Sequence, residues 1–93
     1  MFINKSIHGE NNVCGKKVFH YRKLMQKSQR ELADTLQLLG LDVDKNAIQR
    51  IEAGKRFVTD IEIIFLCQAL NITVNELLGI CEVEDHAWNN SAI

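Results

Sequence analysis

Ninety-three residues, 46% apolar and 25% charged, suffice for one soluble domain with a single core and leave little length for a second, effector-binding domain. No apolar run comes near the roughly 18 residues of a membrane span, and the polar start MFINKSIHGENNV does not read as a signal peptide, so a cytoplasmic protein without membrane contact is expected. The net charge of −1 argues at first against a polyanionic partner, but it hides an uneven distribution described below.

Residues 1–13 show no periodicity and read as a flexible N-terminal arm. From there the chain reads as consecutive helices, with no proline and no useful alternating pattern. The spacing predicts helices over 15–26, 29–39, 45–53, 60–70 and 74–79. Three starts are marked by capping boxes: Ser28 with Glu31, Thr59 with Glu62, and Thr73 with Glu76. Asp44 is a simpler N-cap for the third helix. Gly40 and Gly54 stand where the chain must leave the second and third helices. Val18, Tyr21 and Met25, Leu32, Leu36 and Leu39, Ile48 and Ile51, Ile63, Leu66, Cys67 and Leu70, and Leu77 with Leu78 should form one core. This gives an all-α domain over 14–80, followed by an acidic C-terminal tail, 81–93, in which Trp88 could pack on the core or on a second subunit.

Cysteine usage fits a reducing compartment. Cys14, Cys67 and Cys81 are odd in number, widely spaced and without a C-x-x-C pair, so reduced thiols are expected. No ligand spacing with His8, His20 or His86 suggests a metal, and no cofactor motif is present. Nor is there a nucleophile–base pair or glycine-rich phosphate loop, which argues against an enzyme.

Charge separates along the chain. From Gly15 to Phe57 there are ten basic and five acidic residues, and from Val58 onward six acidic residues and no Lys or Arg. One region therefore suits a polyanion while the other faces elsewhere. The cationic region holds the pair SQRELADTLQLL and DKNAIQRIEAGKR, joined by GLDV. Ile48 and Ile51 give the third helix a narrow apolar seam. Lys45, Asn46, Gln49 and Arg50 project opposite it, and such a ridge suits the major groove, where Arg pairs with guanine and Asn or Gln with adenine. An ordinary amphipathic helix with a solvated face has the same composition.

The combination S-Q-x-E-L-A, I-x-x-I-E-x-G-K-R, a fourth helix and a closing L-L resembles the Cro/phage-repressor (XRE) family of helix-turn-helix regulators over roughly residues 15–79. The resemblance implies a compact five-helix, lambda-repressor-like domain whose helices two and three form the helix-turn-helix. It implies that Gln29, Lys45, Asn46, Gln49 and Arg50 read bases, and that Ser28, Lys55 and Arg56 contact phosphates. It also implies that Arg22 and Glu52 form a structural ion pair. Leu32 and Ile48 are sixteen positions apart, more than in the family's compact form, so the chain is similar to a longer-turn subgroup. Gln26 stands where many relatives have glycine between the first two helices.

The expected function is sequence-specific binding of double-stranded operator DNA by a regulator, chiefly a repressor, acting as a homodimer. The competing reading is a protein-interaction module or antitoxin on the same fold, with a protein partner engaging the acidic C-terminal region.

Overall fold

The computed structural model describes residue 5 and residues 9–80. Among these the chain forms five helices and no strand: α1 (Gly15–Leu24), α2 (Gln29–Leu39), α3 (Lys45–Glu52), α4 (Asp60–Leu70) and α5 (Val74–Leu78). The tail 81–93 lies outside the described residues, and with it Cys81, His86 and Trp88; His8 does so too.

Side-chain caps set the starts of α2 to α5. Each of Ser28, Thr59 and Thr73 accepts the N–H of the Glu three residues on, and that Glu accepts the cap residue's own N–H. Asp44 accepts the Ala47 N–H at 2.8 Å. Each such cap is worth about 1 kcal/mol, since it satisfies donors that have no partner inside the helix. Ends are set by backbone that leaves the helical region: Gly40, Asn71 and Gly79 are left-handed. α1 stops two residues short of its expected end because Gln26 itself is left-handed, at φ 58°.

The core is built from one or two faces of every helix. Val18 of α1, Leu32 and Leu36 of α2, Ile48 and Ile51 of α3, Leu66 and Leu70 of α4 and Leu77 of α5 are buried. Removing each such side chain from water contributes about 1.5–3 kcal/mol before entropy is counted. Met25 and Leu39, expected in this core, lie at the surface instead, one on the α1 C-cap and the other in the last position of α2. Met25 stands past the last residue of α1, and Leu39 stands at the final position of α2, where the chain turns away at Gly40.

The long connection from α2 to α3 is anchored. Gly40 turns the chain with φ 110°, Val43 inserts into the core, and Gln37 Nε2 donates to the Val43 carbonyl at 2.7 Å. The extra residues therefore hold a fixed path between the two helices.

α4 differs from the others in being apolar on nearly all sides. Its inner face carries Leu66, Cys67, Ala69 and Leu70, while Ile61 and Ile64 point outward, 61% and 56% exposed. No helix among the described residues is long and apolar enough to cross a membrane. Cys14 and Cys67 are buried free thiols, and burial pushes the Cys14 thiol up to about 11. Among the described residues, no group of three or more potential metal ligands comes together.

Candidate nucleic-acid interface

The periodicity of α3 divides its eight residues between two environments. Ile48 and Ile51 are buried, whereas Lys45, Asn46, Gln49 and Arg50 are exposed. Positions 45, 46, 49 and 50 fall on one side of the helix, two per turn. None of their side chains takes a hydrogen bond or ion pair from another described residue. These are long donor-bearing groups on a rigid support with their hydrogen-bonding capacity unspent.

The far end of α3 has the opposite character. Arg22 of α1 grips Glu52 with two parallel bonds, Nε to Oε2 at 2.6 Å and Nη2 to Oε1 at 3.0 Å. Its third nitrogen, Nη1, donates to the Lys27 carbonyl at 2.8 Å. Gln29 Nε2 also donates to Glu52 Oε1, at 3.0 Å. The two charged side chains are only 7% and 6% exposed. A planar guanidinium fork matches a carboxylate in this way, and the added bonds to Lys27 and Gln29 offset the cost of burial. One cluster thus ties α1, the α1–α2 turn, the start of α2 and the end of α3. It fixes the orientation of α3 against the rest of the domain.

Beside this cluster the surface is concave and cationic. Arg22, Lys23, Gln26, Lys27, Ser28, Gln29, Arg30, Glu31 and Lys45 line a single basin. The one acidic group there is spent: Glu31 accepts the Ser28 N–H at 2.7 Å, which holds its carboxyl below the usual range. The Ser28 hydroxyl accepts the Glu31 N–H at 3.0 Å, so it opens α2 at the floor of the basin. The free amides of a helix start and several cations together favour an anion. Lys23, Lys27 and Arg30 belong to the regional positive charge, but no motif in the sequence singles them out. Their placement either side of Ser28 was the available signal.

Lys55 and Arg56 follow α3 and take different roles. Lys55 is exposed, with its backbone N–H on the Arg50 carbonyl at 2.9 Å. Arg56 instead places Nη1 and Nη2 on the two Glu62 oxygens at 2.9 and 2.8 Å. Glu62 belongs to the capping box of α4, so Arg56 braces the exit of α3 against the entry of α4. The guanidinium bonds hold the Glu62 carboxyl below its ordinary range, and Glu62 in turn raises Arg56.

A helix-turn-helix family model matches residues 20–77, from within α1 to within α5. The chain belongs to the XRE-type helix-turn-helix family. Among solved structures it is similar to the restriction-modification controller protein C.AhdI from Aeromonas hydrophila. That likeness runs at 28% identity and a TM-score of 0.60, and covers 68% of this chain and 84% of the other. No curated protein sequence matches the chain. This helix-turn-helix protein is a DNA-binding transcriptional regulator, with α2 and α3 as the motif.

Proposed function

We propose that the protein recognises a specific duplex operator by laying α3 in the major groove, and that it represses transcription by occupying that site. The observation that carries this reading is the contrast along α3. Asn46, Gln49 and Arg50 leave their donors and acceptors without partners among the described residues, on a helix whose other face is locked in the core. Those groups suit the edges of adenine and guanine. Lys45 extends this base-reading ridge, while the Ser28 end of α2 and the Lys23–Lys27–Arg30 rim supply phosphate contacts, as does Lys55. Gln29, held by Glu52, is positioned at the same edge.

The operator-bound form is a two-fold dimer in this reading. Ile61 and Ile64 give α4 an outward apolar face, and a helix apolar all round is normally covered on both sides. Two copies would then meet half-sites about 34 Å apart. The Aeromonas hydrophila protein is named a restriction-modification controller, and a controlling role fits this arrangement.

Selection from a random duplex pool tests the proposal. The expected result is an enriched palindrome whose binding weakens steeply with salt, by a log–log slope of about −0.9 per phosphate contacted. Failure to enrich any sequence from the pool overturns it.

A further inference from the structure

The residues just before α1 make contacts that the DNA-binding reading leaves unused. Asn12 faces two helix ends with one carboxamide. Its Oδ1 accepts the Gly15 N–H at 2.8 Å, serving the start of α1, where the N-cap residue Cys14 offers no side-chain cap. Its Nδ2 donates to the Ile51 carbonyl at 3.1 Å and to the Arg56 carbonyl at 2.7 Å. Asn11 adds its backbone N–H on the Gly54 carbonyl at 2.8 Å and its Nδ2 on the Lys55 carbonyl at 2.9 Å. Four carbonyls at the end of α3 and in the turn after it, those of Ile51, Gly54, Lys55 and Arg56, are thereby held from one short segment.

The approach is close enough to select its residues. A β-carbon on Gly15 would collide with the Ile51 carbonyl oxygen, so glycine is what lets α1 start against the end of α3. The positive end of one helix then faces the negative end of the other, a favourable pairing of dipoles. The turn's remaining backbone bonds are local: Ala53, Gly54 and Lys55 donate to the carbonyls of Gln49, Ile51 and Arg50. Local bonds coil the turn, but they do not fix it relative to α1. The Asn11–Asn12 clasp does.

We infer that Asn12, with Asn11 in support, is a positioning residue for DNA binding: it holds the α3–α4 turn so that Lys55 meets a phosphate while Gln49 and Arg50 meet bases. This role rests on the DNA-binding reading above. Neither asparagine touches DNA in it; both act through the backbone that carries Lys55.

The test measures affinity of the full chain for the selected duplex across a salt titration, for wild type, Asn12→Ala, Lys55→Ala and the double variant. Asn12→Ala is expected to bind about five- to tenfold more weakly, with a salt slope shallower by about one phosphate. Lys55→Ala should then cost much less in the Asn12→Ala background than it does in wild type, because both remove the same contact. A loss confined to folding stability would change neither slope nor additivity. Asn11→Ala removes one exposed side-chain bond to the turn and gives the same signature at smaller size, which keeps the test decisive if Asn12→Ala folds incompletely. An unchanged slope in Asn12→Ala and Asn11→Ala, or losses that simply add with Lys55→Ala, overturns the positioning role alone. A wild-type chain that binds no duplex overturns the proposed function and this role together.

Discussion

The two ends of α3 treat polar side chains in opposite ways. At its start and middle, Lys45, Asn46, Gln49 and Arg50 are exposed and without side-chain partners among the described residues. At its end, Glu52 is shared among Arg22 and Gln29, and Arg22 spends its last nitrogen on the Lys27 carbonyl. Both groups are rich in Arg, Gln and charge, so residue type alone does not separate a binding surface from a brace. Saturation does. A polar group whose bonds are all made inside the protein supports the fold, whereas one held rigid with its bonds unmade is available to a ligand.

Breaking the saturated end should have the largest effect. Glu52→Ala leaves the Arg22 guanidinium buried without its carboxylate, and such a loss costs about 3–5 kcal/mol. Chemical denaturation is expected to show most of the domain's stability gone. Breaking the unsaturated end should spare the fold. Gln49→Ala with Arg50→Ala is expected to change stability by no more than about 0.5 kcal/mol, since both sites are exposed and unpaired. The same pair should abolish operator binding, each lost base contact being worth about 1–3 kcal/mol. Full operator affinity in that double variant would remove α3 as the reading helix.

Lys55 and Arg56 sharpen the same distinction between sequence neighbours. Lys55→Ala should weaken all duplexes alike, lower the salt slope by about one and leave thermal stability unchanged. Arg56→Ala should instead lower stability by about 1 kcal/mol, a value limited by the partial exposure of its pair with Glu62. The pair also carries a pH signature. A carboxyl whose folded pKa lies below the unfolded value of 4.5 contributes its stability in full above that value. The contribution is lost as pH falls from about 4.5 through the folded pKa. Melting temperatures of wild type should therefore drop more steeply in that window than those of Arg56→Ala.

Helix positions were legible in the sequence because their signals are local. The capping boxes at Ser28, Thr59 and Thr73 each involve residues three apart, and each is formed. The seam of Ile48 and Ile51 follows from the same short-range periodicity. Less legible was whatever depends on residues far apart in the chain. Asn11 and Asn12 read as part of a loose arm, since two asparagines carry no periodicity. Their partners are Ile51 and residues 54–56, some forty positions later. The bonds from Arg56 to Glu62 were not legible either, because they depend on how the chain folds back into α4. The cationic basin needed Lys23, Lys27 and Arg30 to converge on Lys45 from another helix.

The smallest predicted effect comes from a third kind of site, where the cost is in the backbone. Gln26 ends α1 at φ 58°, a conformation that an L side chain visits at a cost of about 1–2 kcal/mol. The turn keeps this shape because Arg22 holds it from below: Nη1 binds the Lys27 carbonyl, and the Lys27 N–H returns to the Arg22 carbonyl at 3.2 Å. Glycine would adopt the same angle without strain but adds freedom to the unfolded chain, a loss of about 0.5–1 kcal/mol. Gln26→Gly should therefore stabilise the domain by about 0.5 kcal/mol, seen as a small rise in denaturation midpoint with an unchanged m-value. Gln26 also lines the cationic basin. If its side chain contributes to DNA binding, the same substitution will raise stability and lower affinity together, which separates a strained residue kept for the ligand from one with no part in binding.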